Sequence, residues 1–239
     1  MDHATTICAI SDIHGDISYL DRIGETLEES DIVLIAGDLT NTGKRVCALD
    51  ILYEIEQYNT NIIAVHGNWD RNEVLDLLEE KKYSLHARGK IVNNIGFFGT
   101  GGSVITPMKT ATEFSEEELY EYLQTGYDMI KSAPVRIMVS HNPPLGARDR
   151  TFFRLRAGSS SVRDFIIENR CELCICGHIH EACGSDFVVE TPVINCGSFR
   201  QGCYSLISVG EEITFEQHRL SKKRKKKKKQ EDHDREKND

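Results

Sequence analysis

The stretch TTICAISDIHG, Thr5 to Gly15, decides how the rest of the chain is read. Its first six residues are β-branched or apolar with little alternation, which predicts a strand buried on both faces, as strands of parallel sheets are. The strand runs into Ser11-Asp12-Ile13-His14-Gly15, where two side chains able to bind a metal stand two residues apart beside a glycine. In parallel α/β sheets the loops beyond the carboxyl ends of the strands are where function gathers.

Working outward, IVLIA (Ile32 to Ala36) and NIIAV (Asn61 to Val65) repeat the buried-strand signature. Between the strands, Tyr19, Leu20, Ile23 and Leu27 recur at helical spacing, as do Val46, Leu49, Leu52 and Ile55. The result is a β-α-β-α-β series, which implies parallel strands joined by right-handed crossovers. The middle of the chain changes character. Lys90 to Gly102 predicts a hairpin turning at Asn93-Asn94, and Ser115 with Glu118 predicts a capping box for a helix through Met129. Val135–Ser140 and Cys171–Cys176 read as further buried strands, with a helix over Ser159–Asn169 between them; short strands turning near Gly210 close the folded part. The expected class is α/β, with two packed mixed sheets flanked by helices, in one domain over residues 1–220 followed by a disordered charged tail over 221–239.

Composition narrows the function classes. A chain of 239 residues that is 39% hydrophobic suits one large domain. No apolar run is long enough for a bilayer, and MDHATTICAI lacks a basic start and a cleavable apolar stretch. Neither membrane insertion nor secretion is expected, and the location read from this is cytoplasmic. Eight cysteines without an export signal read as reduced thiols. Cys174 and Cys176 alternate on one face of a strand, so the cluster from Cys171 is read as core packing rather than as a zinc site. The net charge of −9 hides an asymmetry: residues 222–239 carry ten Lys/Arg against five Asp/Glu, which leaves −14 on the body. An acidic body disfavours polyanions unless metal ions or a local patch reverse the field. The run KKRKKKKK reads as a solvated, unfolded tail, with contact to RNA or DNA as the sharper alternative.

Five strand ends carry related chemistry: Asp12 and His14 after the first strand, Asp38 after the second, Asn68 after the third, then His141, and finally His178 and His180. Carboxylates, an amide oxygen and imidazoles suit Mn, Fe, Zn, Co or Ni, and no thiolate stands among them. Seven candidates exceed what one four- to six-coordinate ion takes. They suffice for two ions if one carboxylate bridges, an arrangement that clamps the attacking and leaving oxygens in phosphoryl transfer.

As a set, S-D-I-H-G, G-D-L, G-N-W-D, S-H-N-P-P and G-H-I-H resemble the calcineurin-like metallophosphoesterase superfamily, whose usual pattern is D-x-H, G-D, G-N-H-D or G-N-H-E, a single His, and G-H-x-H. The match spans roughly Ile7 to Phe199. The stretches around Asp149 to Phe153, Gly158-Ser159 and Ile175 to Glu181 further resemble its small prokaryotic and archaeal members. The resemblance implies a four-layer α-β-β-α sandwich and two divalent transition-metal ions, manganese foremost, with Fe, Zn, Ni or Co as alternatives. It implies that Asp12, His14 and His180 hold one ion, that Asn68, His141 and His178 hold the other, and that Asp38 bridges, with Asp38, Asn68 and His141 central to catalysis. The implied hydrolase cleaves phosphodiesters, or phosphomonoesters with good leaving groups, by in-line attack of a metal-bound hydroxide; its substrates are small phosphoesters, nucleotides among them.

One residue departs from that pattern. Trp69 stands where the family usually has a His that assists the leaving oxygen, and an indole N–H is a donor that does not titrate. Three readings follow: an enzyme relying on its metals, a Trp69 wall that binds substrate by stacking, or a Trp69 that packs on the surface near Asn72. By the same resemblance Asp70 would orient the missing His. The rival class is a non-catalytic scaffold, like the metallophosphoesterase-fold subunit of the retromer coat, although such scaffolds tend to have damaged ligand sets and all seven positions here are filled. Arg71, Arg148, Arg150, Arg154, Arg156 and Arg200 are candidate phosphate contacts, Gly99 to Gly102 a tight turn, and Asn195 and Ser198 supports for the His loop.

Overall fold

The computed structural model describes residues 4–221; the basic tail expected beyond them lies outside the described residues. In chain order the elements are β1 (Thr5–Ile10), α1 (Gly24–Glu29), β2 (Ile32–Ala36), α2 (Arg45–Glu56), β3 (Ile62–Val65), α3 (Asn72–Glu80), β4 (Arg88–Val92), β5 (Ile95–Thr100), β6 (Ser103–Val104), β7 (Glu113–Phe114), α4 (Glu116–Asp128), β8 (Val135–Ser140), α5 (Ser160–Asn169), β9 (Leu173–Cys176), β10 (Gly184–Val188), β11 (Thr191–Asn195), β12 (Cys203–Val209) and β13 (Ile213–Arg219).

Two large sheets result, ordered β13-β12-β1-β2-β3 and β10-β11-β9-β8-β5-β4. Both are mixed: β1, β2 and β3 run parallel beside antiparallel β12 and β13, and β11, β9, β8 and β5 run parallel between antiparallel edges β10 and β4. The period-two alternation of each strand divides its side chains between two cores. Ile7, Ala9, Leu34 and Ile63 face Phe97, Ile137, Val139 and Ile175 between the sheets. Their neighbours Cys8, Ile10, Val33 and Ile35 pack under the helices α1 to α3, while Phe98, Met138, Cys174 and Cys176 pack under α4 and α5. The layers are therefore α-β-β-α, as expected. Cys171, Cys174 and Cys176 are buried in the outer cluster, where loss of water pushes their thiols up, that of Cys171 to about 12.

The local signals behave unevenly. Asn93 and Asn94 both take positive φ, 50° and 63°, as a two-residue hairpin turn requires. Ser115 and Glu118 close their capping box at 3.1 and 2.8 Å. The stripe expected on α2 is displaced: the buried row is Ala48, Ile51, Leu52 and Ile55, whereas Val46 is 64% and Leu49 40% exposed. The row that includes Ala48 and Ile51 buries a small and a large side chain under the sheet and leaves Val46 and Leu49 to solvent. Tyr19, Leu20, Ile23 and Leu27 all reach the core, but through a 3-10 turn over Leu20–Arg22 followed by the short α1 rather than one helix. Among the described residues no helix is long and apolar enough to cross a membrane.

Candidate metal centre

The carboxyl ends of β1, β2, β3, β8 and β9 open onto one pocket, and their loops are laced together by backbone bonds. The Asp12 amide donates to the Gly37 carbonyl at 3.0 Å, that of His14 to Asp38 at 2.9 Å, and that of Gly177 to His141 at 3.1 Å. Four of the seven candidate ligands turn the chain through the left-handed region: Asp12 (φ 54°), His14 (48°), Asp38 (54°) and His178 (68°). Such backbone is held only where the surroundings over-determine it, and it clusters at functional sites. Gly37 (φ +97°) permits a closer approach than any side chain would: a Cβ there would overlap the His141 ring and lie 3.0 Å from the Cα of Gly67.

The structure brings all seven side chains together. His180 Nε2 lies 3.1 Å from Asp12 Oδ1 and 3.1 Å from His14 Nε2. Asn68 Oδ1 lies 3.0 Å from His141 Nε2 and 2.9 Å from His178 Nδ1. Asp38 Oδ2 reaches both sets, 3.6 Å from His14 Nε2 and 3.4 Å from His141 Nε2. Two overlapping triads, Asp12-His14-His180 and Asp12-Asp38-His141, keep their ligand atoms within 4.8 Å of one another. Ligand atoms bonded at about 2.0–2.2 Å to a shared ion stand roughly 3.0–3.5 Å apart in tetrahedral or octahedral geometry, so these spacings fit divalent cations. The donor chemistry fits as well: Asp12 and Asp38 are buried, and among the described residues their ion-pair partners are histidines rather than Lys or Arg.

Electrostatics separate the imidazoles. Burial works against charge on His141, but the Asp38 carboxylate overrides it and raises the ring to about 9. Burial lowers His178 to about 4 and also lowers His14. Burial would raise Asp12, yet the hydrogen bond from His180 and the nearby charges of His141 and His180 hold it at about 2. The His141 Nδ1 lies 2.7 Å from the Ala36 carbonyl; with its proton there, Nε2 points into the pocket, the usual way a ligating ring is fixed.

Outer residues hold the ligand loops. Asn195 Nδ2 donates to the carbonyls of Gly177 and Ile179 at 3.0 and 3.1 Å, and Ser198 Oγ donates to that of Asp12 at 2.8 Å. Asn195→Ala is expected to weaken manganese binding by about tenfold to a hundredfold, read by calorimetric titration of the metal-stripped protein; an unchanged affinity would show that the His178–His180 loop keeps its shape without this amide.

Asp70 differs from expectation. Its carboxylate accepts bonds from the Leu39, Thr40 and Gly67 amides and the Thr40 hydroxyl, at 2.8–3.0 Å, so it locks the Asp38 loop to the Asn68 loop instead of serving residue 69. Burial and the adjacent Asp38 raise it to about 6. Trp69 gives its amide to Asp38 Oδ1 at 2.8 Å. Its half-buried ring walls an open groove of about 520 Å³ together with Thr42, Arg71, Asn72, Lys109 and Thr110. The Thr110 hydroxyl accepts from Asn68 Nδ2 at 2.9 Å, so groove and ligands adjoin.

Of the candidate arginines, Arg148 is engaged with the Ser185 carbonyl, Arg156 with Asp149 and Arg71 with the Thr42 carbonyl. Arg150, Arg154 and Arg200 are exposed, Arg150 with its Nη1 on the Arg154 carbonyl at 3.2 Å. Gly102 turns the chain between β5 and β6 at φ 69°, and its amide donates to the His66 carbonyl at 3.0 Å. Two features escaped the sequence reading. His66 and His86 form a buried ring pair, centroids 4.7 Å apart, behind the Asn68 loop, and both nitrogens of His66 lack hydrogen-bond partners. Glu113 gathers the amides and hydroxyls of Thr106 and Thr110 and so shapes the loop that bounds the groove. A polar residue between Val65 and Gly67, and two threonines ahead of Glu113, were the only signals.

The chain is similar to known proteins along most of its length. The sequence profile described as calcineurin-like phosphoesterase matches residues 5–182. An uncharacterised protein of Methanocaldococcus jannaschii is 33% identical over 197 residues, covering 79% of this chain and 86% of that one. Among solved structures, TT1561 of Thermus thermophilus aligns with TM-score 0.69 at 15% identity, covering 90% of this chain and 99% of that one. A dimetal phosphatase from Danio rerio aligns with TM-score 0.65 at 14% identity, over 91% and 97% of the two chains. At such identities the two structures speak for the fold alone.

Proposed function

The chain belongs to the calcineurin-like phosphoesterase family, and from that premise we propose that it is a phosphodiesterase dependent on two divalent transition-metal ions, manganese foremost. The observation that carries this reading is the convergence of seven ligand side chains from five loops at ion-compatible spacings. In it, Asp12, His14 and His180 would hold one ion and Asn68, His141 and His178 the other, with Asp38 within reach of both sets. Divalent ions held there lower the pKa of water toward neutrality and offset charge on the phosphoryl oxygens.

The rest of the task falls to the protein. The left-handed turns at Asp12, His14, Asp38 and His178 aim four ligands inward before any ion arrives, and the Asp70 lock keeps the Asp38 and Asn68 loops in register. Trp69 offers a flat face in the adjoining groove, with two cations, Arg71 and Lys109, against one carboxylate, Glu73, in its lining, which suits a substrate that joins an aromatic or nucleobase group to a phosphate. Trp69 brings no titrating proton to the leaving oxygen, so the favoured substrates are diesters, or monoesters, whose leaving group is stable as an anion. The eight cysteines suit a reducing, cytoplasmic compartment.

The test is hydrolysis of bis(p-nitrophenyl) phosphate by metal-stripped protein reloaded with manganese. Turnover no faster than that of free manganese would overturn the reading. Trp69→His is expected to raise kcat/KM for alkyl leaving groups by about a hundredfold, the contribution of a positioned acid, and to change p-nitrophenolate departure far less. Equal gains on both would show that a missing proton donor is not what limits the enzyme.

A further inference from the structure

Residues 149–157 form a small hairpin beside the centre. Its bonds run from the Ala157 amide to the Asp149 carbonyl (2.9 Å), from Thr151 to Leu155 (2.9 Å) and from Arg154 to Thr151 (2.8 Å), and Arg154 turns the tip at φ 62°. The tip holds Phe152 and Phe153 in solvent, 82% and 80% exposed, with Leu155 at 67%. Their rings meet edge to face, centroids 5.6 Å apart, so the edge of one lies against a face of the other and the remaining faces stay open to solvent. Two adjacent phenyl rings left in water are unfavourable unless a partner covers them.

The hairpin is fastened to the ligand loop. The Phe152 amide donates to the carboxylate of Glu181, the residue after His180. Asn195 Nδ2, which holds the Gly177 and Ile179 carbonyls, also reaches that of Arg148 at 3.3 Å. The aromatic tip therefore stands at the rim of the pocket, on the His180 side, whereas Trp69 follows Asn68 in the chain. Charge is concentrated here too. Residues 148–156 carry four arginines against one aspartate on a body of net −14, and of these Arg150 and Arg154 are exposed beside the rings.

We propose that this hairpin is a stacking platform for single-stranded nucleic acid, with unpaired bases lying on Phe152 and Phe153 and backbone phosphates against Arg150 and Arg154. The inference rests on the phosphodiesterase reading, since it supplies that centre with its substrate class. Aromatic faces interleaved with arginine are the chemistry that holds unpaired strands without regard to sequence. A thin strand can lie along the hairpin and its arginines; an anionic membrane would meet the acidic body across a broad face and be repelled. Three apolar side chains also fall well short of the roughly 800 Å² per partner of a stable dimer.

The experiment uses the full chain stripped of metal, so that the readout is binding alone: fluorescence anisotropy of a labelled single-stranded oligonucleotide about twelve nucleotides long. Phe152→Ala with Phe153→Ala is expected to raise Kd by about thirtyfold or more, since each stacked base contributes at least about 1 kcal/mol. Phe152→Trp with Phe153→Trp is expected to retain binding. Absence of binding by the unaltered chain, or equal affinity of the alanine variant, overturns the proposal; the second result would assign binding to the basic tail. Loss in the alanine variant of binding to phosphatidylserine vesicles, or of a dimer in sedimentation, with oligonucleotide affinity unchanged, also overturns it and assigns the rings to those partners. Hydrolysis of bis(p-nitrophenyl) phosphate tests the centre separately, so either reading can fail alone.

Discussion

Asp38→Ala is expected to lower kcat/KM for bis(p-nitrophenyl) phosphate by about a thousandfold or more, above the 10²–10³ that removal of one charge-stabilising donor produces. The reason lies in how many partners this carboxylate serves. Oδ2 stands within 3.6 Å of His14 and 3.4 Å of His141, one from each proposed ion's ligand set, while Oδ1 receives the Trp69 amide at 2.8 Å. Alanine withdraws negative charge from both ion positions together and frees the backbone of Trp69. Two measurements check it: kcat/KM under strict metal control, and manganese bound per chain, which should fall below the wild-type value. Equal rates in wild type and variant, with both folded, would mean that hydrolysis occurs elsewhere or not at all.

Asp70→Ala is expected to act mainly on stability, by about 3 kcal/mol. Its carboxylate satisfies three backbone amides and one hydroxyl in a place without solvent, and each buried donor left alone costs about 1–3 kcal/mol. The low end of the sum is appropriate because Asp70 also carries its own burial and the repulsion of Asp38, which alanine relieves. At about 2–4 °C per kcal/mol for a domain of this size, the melting temperature should drop by roughly 10 °C in calorimetry. Asp70→Asn is expected to rescue little, because its amide NH₂ would face donors. A melting temperature unchanged in the alanine variant would show that the two loops are held together by something else.

What could be read from the chain follows a physical division. β2 and β3 were legible because a strand buried on both faces leaves an unbroken apolar run, β1 and β8 because each ends in one, and the ligands were legible because each stands close after such a run. The rotation of α2 was hidden because Ala48, which is buried in the core, carries too little apolar surface to stand out beside Val46 and Leu49. The role of Asp70 depends on β2 and β3 being neighbours in the sheet, which brings Leu39 and Thr40 within reach of a residue thirty positions later. The His66–His86 pair and the Glu181 tie to Phe152 are of the same kind: contacts made by packing, between segments with no shared pattern.

The left-handed turns at Asp12, His14, Asp38 and His178 bear on how such a protein responds to selection. Glycine takes that conformation without strain, so replacement by glycine relieves a local penalty of about 1–3 kcal/mol, an amount similar to the cost of the buried amides that Asp12 and Asp38 would leave without an acceptor. A mutant library screened for heat tolerance alone would thus let glycine pass where the chemistry resides, and some of its survivors would be inert. Engineering this scaffold for durability calls for a screen that scores turnover in every round.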